Sequence, residues 1–182
     1  WYKGVNLARD AGTYSYNLAP PWQNALAQTA VHNTISIDGM NQMTPAGKFL
    51  WLDWANSSIT EFNPYKNILQ AYQDGYRKVG IIHQRKIYLE EKTRLTIEDI
   101  LTLNRALSSS HSACLHWLLP DWKWKLEQQT LSLTAPFGKV IISISNSEHF
   151  NPVIDLLREG KSLLLKKNEN PNLGWYSPTY LC

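Results

Sequence analysis

His32 stands near the head of the run A-V-H-N-T-I-S-I-D-G, followed by Asn33 and Thr34 and outside any continuous apolar stretch. Near neutral pH an imidazole in such a setting takes or gives a proton, binds a metal through one nitrogen, or becomes a cation beside an acid. The plainer role is a turn histidine that hydrogen-bonds the start of its strand. Arg9, Tyr14 and Tyr16 form a second group. A regular strand over 13–17 puts both phenol rings on one face. Two such rings beside a guanidinium suit an acidic sugar, because rings stack on pyranose faces and the guanidinium pairs with carboxylate or sulfate. The competing role for the tyrosines is an aromatic core stripe, and Arg9 can simply pair with Asp10.

Asp53, between Trp51 and Trp54, is an acid in an apolar strand candidate, and His83 lies within V-G-I-I-H-Q-R-K. A buried carboxylate needs a partner. Two imidazoles and a carboxylate suit zinc, so His32, Asp53 and His83 are candidate ligands, although their spacing lacks the regularity of a short metal-binding signature. Pairing of Asp53 with Arg85 or Arg77 is the structural alternative. His111, His116 and His149 read as structural or exposed.

Other chemistries lack their motifs. There is no G-x-x-x-x-G-K-[ST], no G-x-G-x-x-G and no G-x-S-x-G in the chain. The net charge of +3, from 18 basic and 15 acidic residues, falls short of a nucleic-acid footprint but is compatible with an acidic ligand. No run approaches the roughly 20 apolar residues of a membrane helix. The start, W-Y-K-G-V-N, has neither a signal-peptide pattern nor an initiator Met, so the chain reads as a processed product or a piece of something longer. Cys114 and Cys182 could pair, but their spacing does not require it. Eight tryptophans and nine tyrosines are an unusual load, which suits packing, sugar stacking or a partner surface.

The elements that must position these residues read as strands. A chain of 182 residues fits one domain with a sizeable core. Strand patterns fall over 5–9, 13–17, 33–38, 49–55, 68–72, 78–90, 94–103, 113–119, 124–133, 138–145 and 163–167. They are punctuated by Gly12, Pro20-Pro21, Asp38-Gly39, Asp74-Gly75 and Pro120-Asp121. Residues 22–29 allow a helical turn, and 150–158 a helix of about two turns. Along 78–90, alternation puts Val79, Ile81, His83, Arg85 and Ile87 on one side. Many short strands without crossover helices predict an all-β fold, an antiparallel β-sandwich spanning 1–182 as a single domain.

The runs R-D-A-G-T-Y-S-Y, A-V-H-N-T-I-S-I-D-G-M-N-Q, G-K-F-L-W, D-G-Y near residue 75, and H-Q-R-K-I-Y-L with its downstream I-E-D share an order and spacing. In these the chain resembles the heparinase II/III-like family, over the family's C-terminal β-sheet region and up to G-W-Y-S-P-T-Y. The resemblance implies a multi-stranded, supersandwich-like sheet domain following an N-terminal (α/α) toroid, in a polysaccharide lyase that cleaves uronic-acid-containing glycans by β-elimination. It implies that His32 faces the cleft as a catalytic residue. Arg9, Tyr14, Tyr16 and Asn33 are then the substrate-binding candidates, and the remaining catalytic groups come from the toroid.

Metal-bearing relatives imply a zinc or calcium site for which Asp53 and His83 are the candidate ligands. The second histidine of zinc-bearing members falls at Thr34 here. Implied partners are an acidic polysaccharide and the helical domain; no nucleic acid is expected, and a homodimer is compatible. An extracellular substrate implies a periplasmic or secreted parent. No stretch resembles the toroid, so this chain alone is expected to show little or no lyase activity. The alternatives are a non-catalytic glycan-binding or structural β module, or a protein-interaction surface.

Overall fold

The computed structural model describes residues 1–104, 110–146, 152–165 and 170–179. Chain contacts divide the protein into two compact units, Gln28–His116 and a second built from both ends, Trp1–Ala27 with Trp117–Cys182. Regular structure among the described residues is short or medium β-strand, with three single 3-10 turns and no α-helix. Every strand pairing is antiparallel. The fold class is therefore all-β and antiparallel, as the spacing of turn signals predicts.

The unit Gln28–His116 opens with a 3-10 turn, Thr29–Val31. It holds β1 (Ile35–Ile37), β2 (Thr44–Pro45), β3 (Trp51–Leu52), β4 (Ser57–Asn63), β5 (Ile68–Gln73), β6 (Ile81–Glu90), β7 (Arg94–Leu103) and β8 (Ala113–Leu115). β4 to β7 form a four-stranded meander, β1 pairs with β8, and β2 pairs with β3. β1 is buried throughout and ends in a turn where Asp38 and Gly39 both take positive φ. The Met40 N–H closes that turn on the Ile37 carbonyl at 2.9 Å. Twin positive φ values are the tight-hairpin geometry that Asp-Gly favours.

The core of this unit joins Ile35, Ile37, Tyr76 and Ile81, with Val79 and Leu101 against it. Tyr76 is 2% exposed, and its hydroxyl donates to the Ile35 carbonyl at 3.0 Å. Burial pushes its phenol up to about 12, so it stays a protonated donor throughout the neutral range. Just before it, Gly75 leaves no room for a side chain, since a Cβ there would sit 2.8 Å from the Gln42 Cβ and 3.0 Å from the Gln42 carbonyl oxygen. β6 and β7 pair without a bulge, Ile81 facing Leu103 and Glu90 facing Arg94. This alternation places Ile81 and His83 in the interior, as read from the sequence. Val79 departs from it, lying in the 3-10 turn Arg77–Val79 ahead of the strand.

The second unit contains β9 (Trp124–Glu127), β10 (Thr130–Ala135), β11 (Gly138–Ser143), β12 (Leu157–Arg158) and β13 (Lys161–Ser162). β10 is the central strand of a three-stranded sheet and buries Leu131, Leu133 and Ala135. A reversal at Gln128, with φ of 52°, splits the single strand expected over 124–133 into β9 and β10. The two chain ends meet where Gly12 bridges Ser177, the Ser177 N–H donating to the Ala11 carbonyl at 2.9 Å. Here glycine is required twice over: φ is +78°, and a Cβ would lie 1.9 Å from the Ser177 carbonyl oxygen.

Several expected elements are absent or shifted. Residues 5–9 and 13–17 form no strand; the isolated bridges here are at Val5 and, between the two segments, at Gly12. The aromatic strand over 49–55 shrinks to Trp51–Leu52, leaving Phe49 75% exposed. β4 occupies residues not read as a strand. It is an edge strand with an irregularity between Ile59 and Glu61, so it shows neither clean alternation nor a buried face. Residues 152–156 are irregular and 157–158 are strand, not helix, because Asn151-Pro152 and Gly160 leave too short an uninterrupted run. His149, Cys182 and parts of the 150–158 and 163–167 segments lie outside the described residues.

Candidate functional site

His32 caps the 3-10 turn Thr29–Val31, its N–H donating to the Thr29 carbonyl at 3.2 Å. His32 is half-buried. The backbone on either side is braced from four directions. The Thr29 N–H donates to the Asn41 Oδ1 at 2.8 Å, and the Gln42 N–H donates to the Thr29 Oγ1 at 3.0 Å. This reciprocal pair ties the entry of the A-V-H-N-T run to its own M-N-Q end. The His116 Nδ1 lies 3.2 Å from the His32 carbonyl, and the Arg85 Nη1 donates to the Asn33 carbonyl at 2.6 Å.

Arg85 is itself fixed. The register sets it across from Asp99, and His83 one pair along on the same face. Arg85 Nε donates to Asp99 Oδ1 at 2.7 Å and Nη2 to Oδ2 at 3.0 Å, a two-point fork. His83 Nε2 lies 2.6 Å from Asp99 Oδ1, with side chains 4% and 9% exposed. On its other side, His83 Nδ1 faces the Gln73 Nε2 at 3.4 Å. The Gln73 Oε1 is taken by the Gly75 N–H at 2.6 Å, which orients the amide with its nitrogen toward the ring. The pattern therefore assigns Nδ1 as acceptor and Nε2 as the donor to Asp99.

Burial raises the Asp99 carboxyl, but hydrogen bonds from His83 and Arg85 and the Arg85 charge outweigh it and hold the group below the ordinary carboxylate value. For His116, burial lowers the imidazole below its usual value against the opposing bond to the His32 carbonyl. His116 is thus neutral at neutral pH, with Nδ1–H donating.

Asp53 is placed differently from the acid the sequence suggested. It is exposed, with φ of 57°, just beyond the two-residue β3. Its Oδ2 accepts from the Thr44 Oγ1 at 2.7 Å and from the Lys78 Nζ, a pairing with neither Arg85 nor Arg77. The Lys78 and Thr44 hydrogen bonds hold its carboxyl below the usual range. Asp53 and both ring nitrogens of His83 thus have protein partners of their own. Among the described residues no three of His, Cys, Asp and Glu converge as a metal site.

Arg9, Tyr14 and Tyr16 belong to the other unit. The Arg9 guanidinium lies over the Tyr176 ring, 4.9 Å from its centroid, while Asp10 Oδ1 accepts from the Gly12 N–H at 2.9 Å. Tyr14 meets Trp22 edge-on at 6.1 Å, and Trp22 meets Trp175 edge-on at 5.2 Å. Without a strand over 13–17, Tyr14 and Tyr16 are half-buried loop residues. The structure brings His32 and Asn33 together with Arg85, Asp99, His83 and His116, and brings Arg9 and Tyr14 into the aromatic unit.

The sequence reading missed the roles of Asp99 and His116. Period-two pairing of β6 with β7 puts Asp99 opposite Arg85 and so carried a signal for the first. His116 follows β8 by one residue, and no local pattern marked it.

An all-β chain of antiparallel sheets presenting a braced, half-buried histidine is the class these features define. The family model described as "Heparinase II/III-like, C-terminal" matches residues 1–181, and the chain belongs to that family. Among solved structures, a heparinase III gene product aligns with a TM-score of 0.56 and 23% identity, over 74% of this chain and 20% of that one. The same protein with methylated lysines aligns with a TM-score of 0.54 and 24% identity, over 72% and 19%. The likeness is one of fold, and the chain spans about a fifth of those structures. No curated protein sequence matches it.

Proposed function

We propose that this chain is the C-terminal β-sheet portion of a polysaccharide lyase that cleaves uronic-acid-containing glycans by β-elimination. The carrying observation is the half-buried His32 at the end of a 3-10 turn, its carbonyl held by His116 and the chain around it held at Thr29 by Asn41 and Gln42 and at Asn33 by Arg85, in a member of the heparinase II/III-like family. Elimination breaks the C5–H and C4–O bonds of the uronate and forms a C4=C5 double bond. A base takes the C5 proton, an acid protonates the leaving oxygen, and a cationic or hydrogen-bonding group neutralises the carboxylate. A half-buried imidazole fixed through its main chain suits the proton-transfer or carboxylate-neutralising role, with Asn33 beside it as a substrate contact. The complementary groups belong to an N-terminal helical domain of the parent protein, and an external polymeric substrate goes with an exported parent.

The test is the parent protein assayed against a panel of uronate polymers, with absorbance of the unsaturated product reporting elimination directly. Turnover that His32→Ala abolishes supports the reading; unchanged turnover in that variant rejects it. A second reading, a glycan-binding module without chemistry, draws on the Tyr14–Trp22–Trp175 ring chain and the Arg9–Tyr176 stack. It predicts retained binding of acidic glycans with no unsaturated product from the parent.

A further inference from the structure

We propose that Arg85, aligned by Asp99 and His83, is the positioning residue that sets the His32 ring by holding the Asn33 carbonyl, and that it does so without a metal ion. The geometry has a direction. Gly75 orients the Gln73 amide, Gln73 faces one edge of His83, and the other edge of His83 donates to Asp99. Asp99 then grips Arg85 through two parallel bonds, which leaves the Nη1 nitrogen aimed at the Asn33 carbonyl.

Four of these side chains, Gln73, His83, Arg85 and Asp99, come from β5, β6 and β7, three consecutive paired strands of the meander. What they hold is irregular chain between a 3-10 turn and β1. His116 acts on the neighbouring carbonyl, so consecutive peptide units at His32 and Asn33 are each held by a side chain. These two carbonyls flank the Asn33 Cα, and the His32 N–H on the Thr29 carbonyl at 3.2 Å holds the plane on the other side of His32, so the three bonds together fix the Cα–Cβ direction from which the His32 ring projects.

The same contacts argue against an ion at this place. Asp99 already neutralises a guanidinium, and a divalent cation there would have to displace Arg85 or share its carboxylate. The side chain that would complete a ligand set two residues after His32 is Thr34.

The inference rests on the lyase reading only where turnover is measured, so the test has two arms. In this chain, Arg85→Gln and Arg85→Lys are compared by nitrogen-15 NMR of the His32 ring and by exchange of the His32 and Thr34 amide protons. Both variants are expected to shift the ring signals and speed exchange at these amides, while a chelator leaves the unmodified chain's signals unchanged. Lysine keeps charge and bulk but lacks the planar fork, so it is expected to rescue little. In the parent, kcat is expected to fall about a hundredfold with KM within a few-fold, the mark of a misplaced group rather than lost binding.

Unchanged ring signals and exchange in folded Arg85→Lys overturn the positioning role, and chelator-dependent signals overturn the metal-free one. If Arg85→Gln fails to fold, Arg85→Lys carries the test. An inactive parent with shifted ring signals rejects the lyase reading and leaves the positioning role standing.

Discussion

Asp99 is where charge, burial and geometry meet, and its behaviour with pH follows from sign alone. Its folded value lies below the ordinary 3.8, so the stabilisation it gives is complete above that value and is lost as pH falls through the folded one. Denaturant titrations are expected to show a drop in stability below about pH 4 that Asp99→Asn removes. Removing one partner from a buried pair leaves the other uncompensated, so Asp99→Ala is expected to cost about 3–5 kcal/mol at neutral pH. His116 has the same sign in another window. Its folded value lies below 6.5, so proton uptake below that pH opposes folding, and NMR titration of His116 should place its midpoint under that of a free imidazole side chain. Tyr76→Phe removes a buried hydroxyl bond to Ile35 and is expected to cost about 1 kcal/mol in chemical denaturation.

At the scale of elements, how much the sequence shows depends on whether a segment is held by its own periodicity or by distant chain. β1, β6 and β7 were readable because each alternates against a buried neighbour, and the Asp38-Gly39 turn because its residues favour positive φ. Residues 1–27 were not, since they carry strand-like composition but are anchored by a bridge to Ser177, far along the chain. β4 was hidden because an exposed edge strand needs no apolar rhythm. Of the site, His32 stood out locally. Its support did not, because Asp99 and His116 reach it only through strand register and tertiary contact.

The glycines give a direct comparison among elements. Gly12→Ala combines positive φ with a Cβ 1.9 Å from backbone, whereas Gly39→Ala meets positive φ in open space. The first is expected to lower stability by well over about 1 kcal/mol and the second by about 1 kcal/mol. Thermal melts of the two variants check the order.

At the scale of the whole molecule, the chain spans about a fifth of the heparinase III structures whose fold it shares. That proportion makes the activity a property to be sought in the parent, since elimination needs groups on both sides of the sugar. A carboxylate-neutralising group, a base and an acid must converge within hydrogen-bond reach of one uronate. Under the proposed function, the sheet portion is the mount for one of them. Its His116 and ion-paired Arg85 hold the backbone around His32, and under that same reading His32 is the group that meets substrate.

The most direct test of this account is single-turnover β-elimination by the parent protein on a uronate polymer, read by ultraviolet absorbance, for the unmodified protein and for His32→Ala at matched stability. The account predicts that the unmodified protein forms unsaturated product and that the variant loses it by at least about a hundredfold, on the usual scale of a general acid or base. Equal rates from both proteins would contradict it.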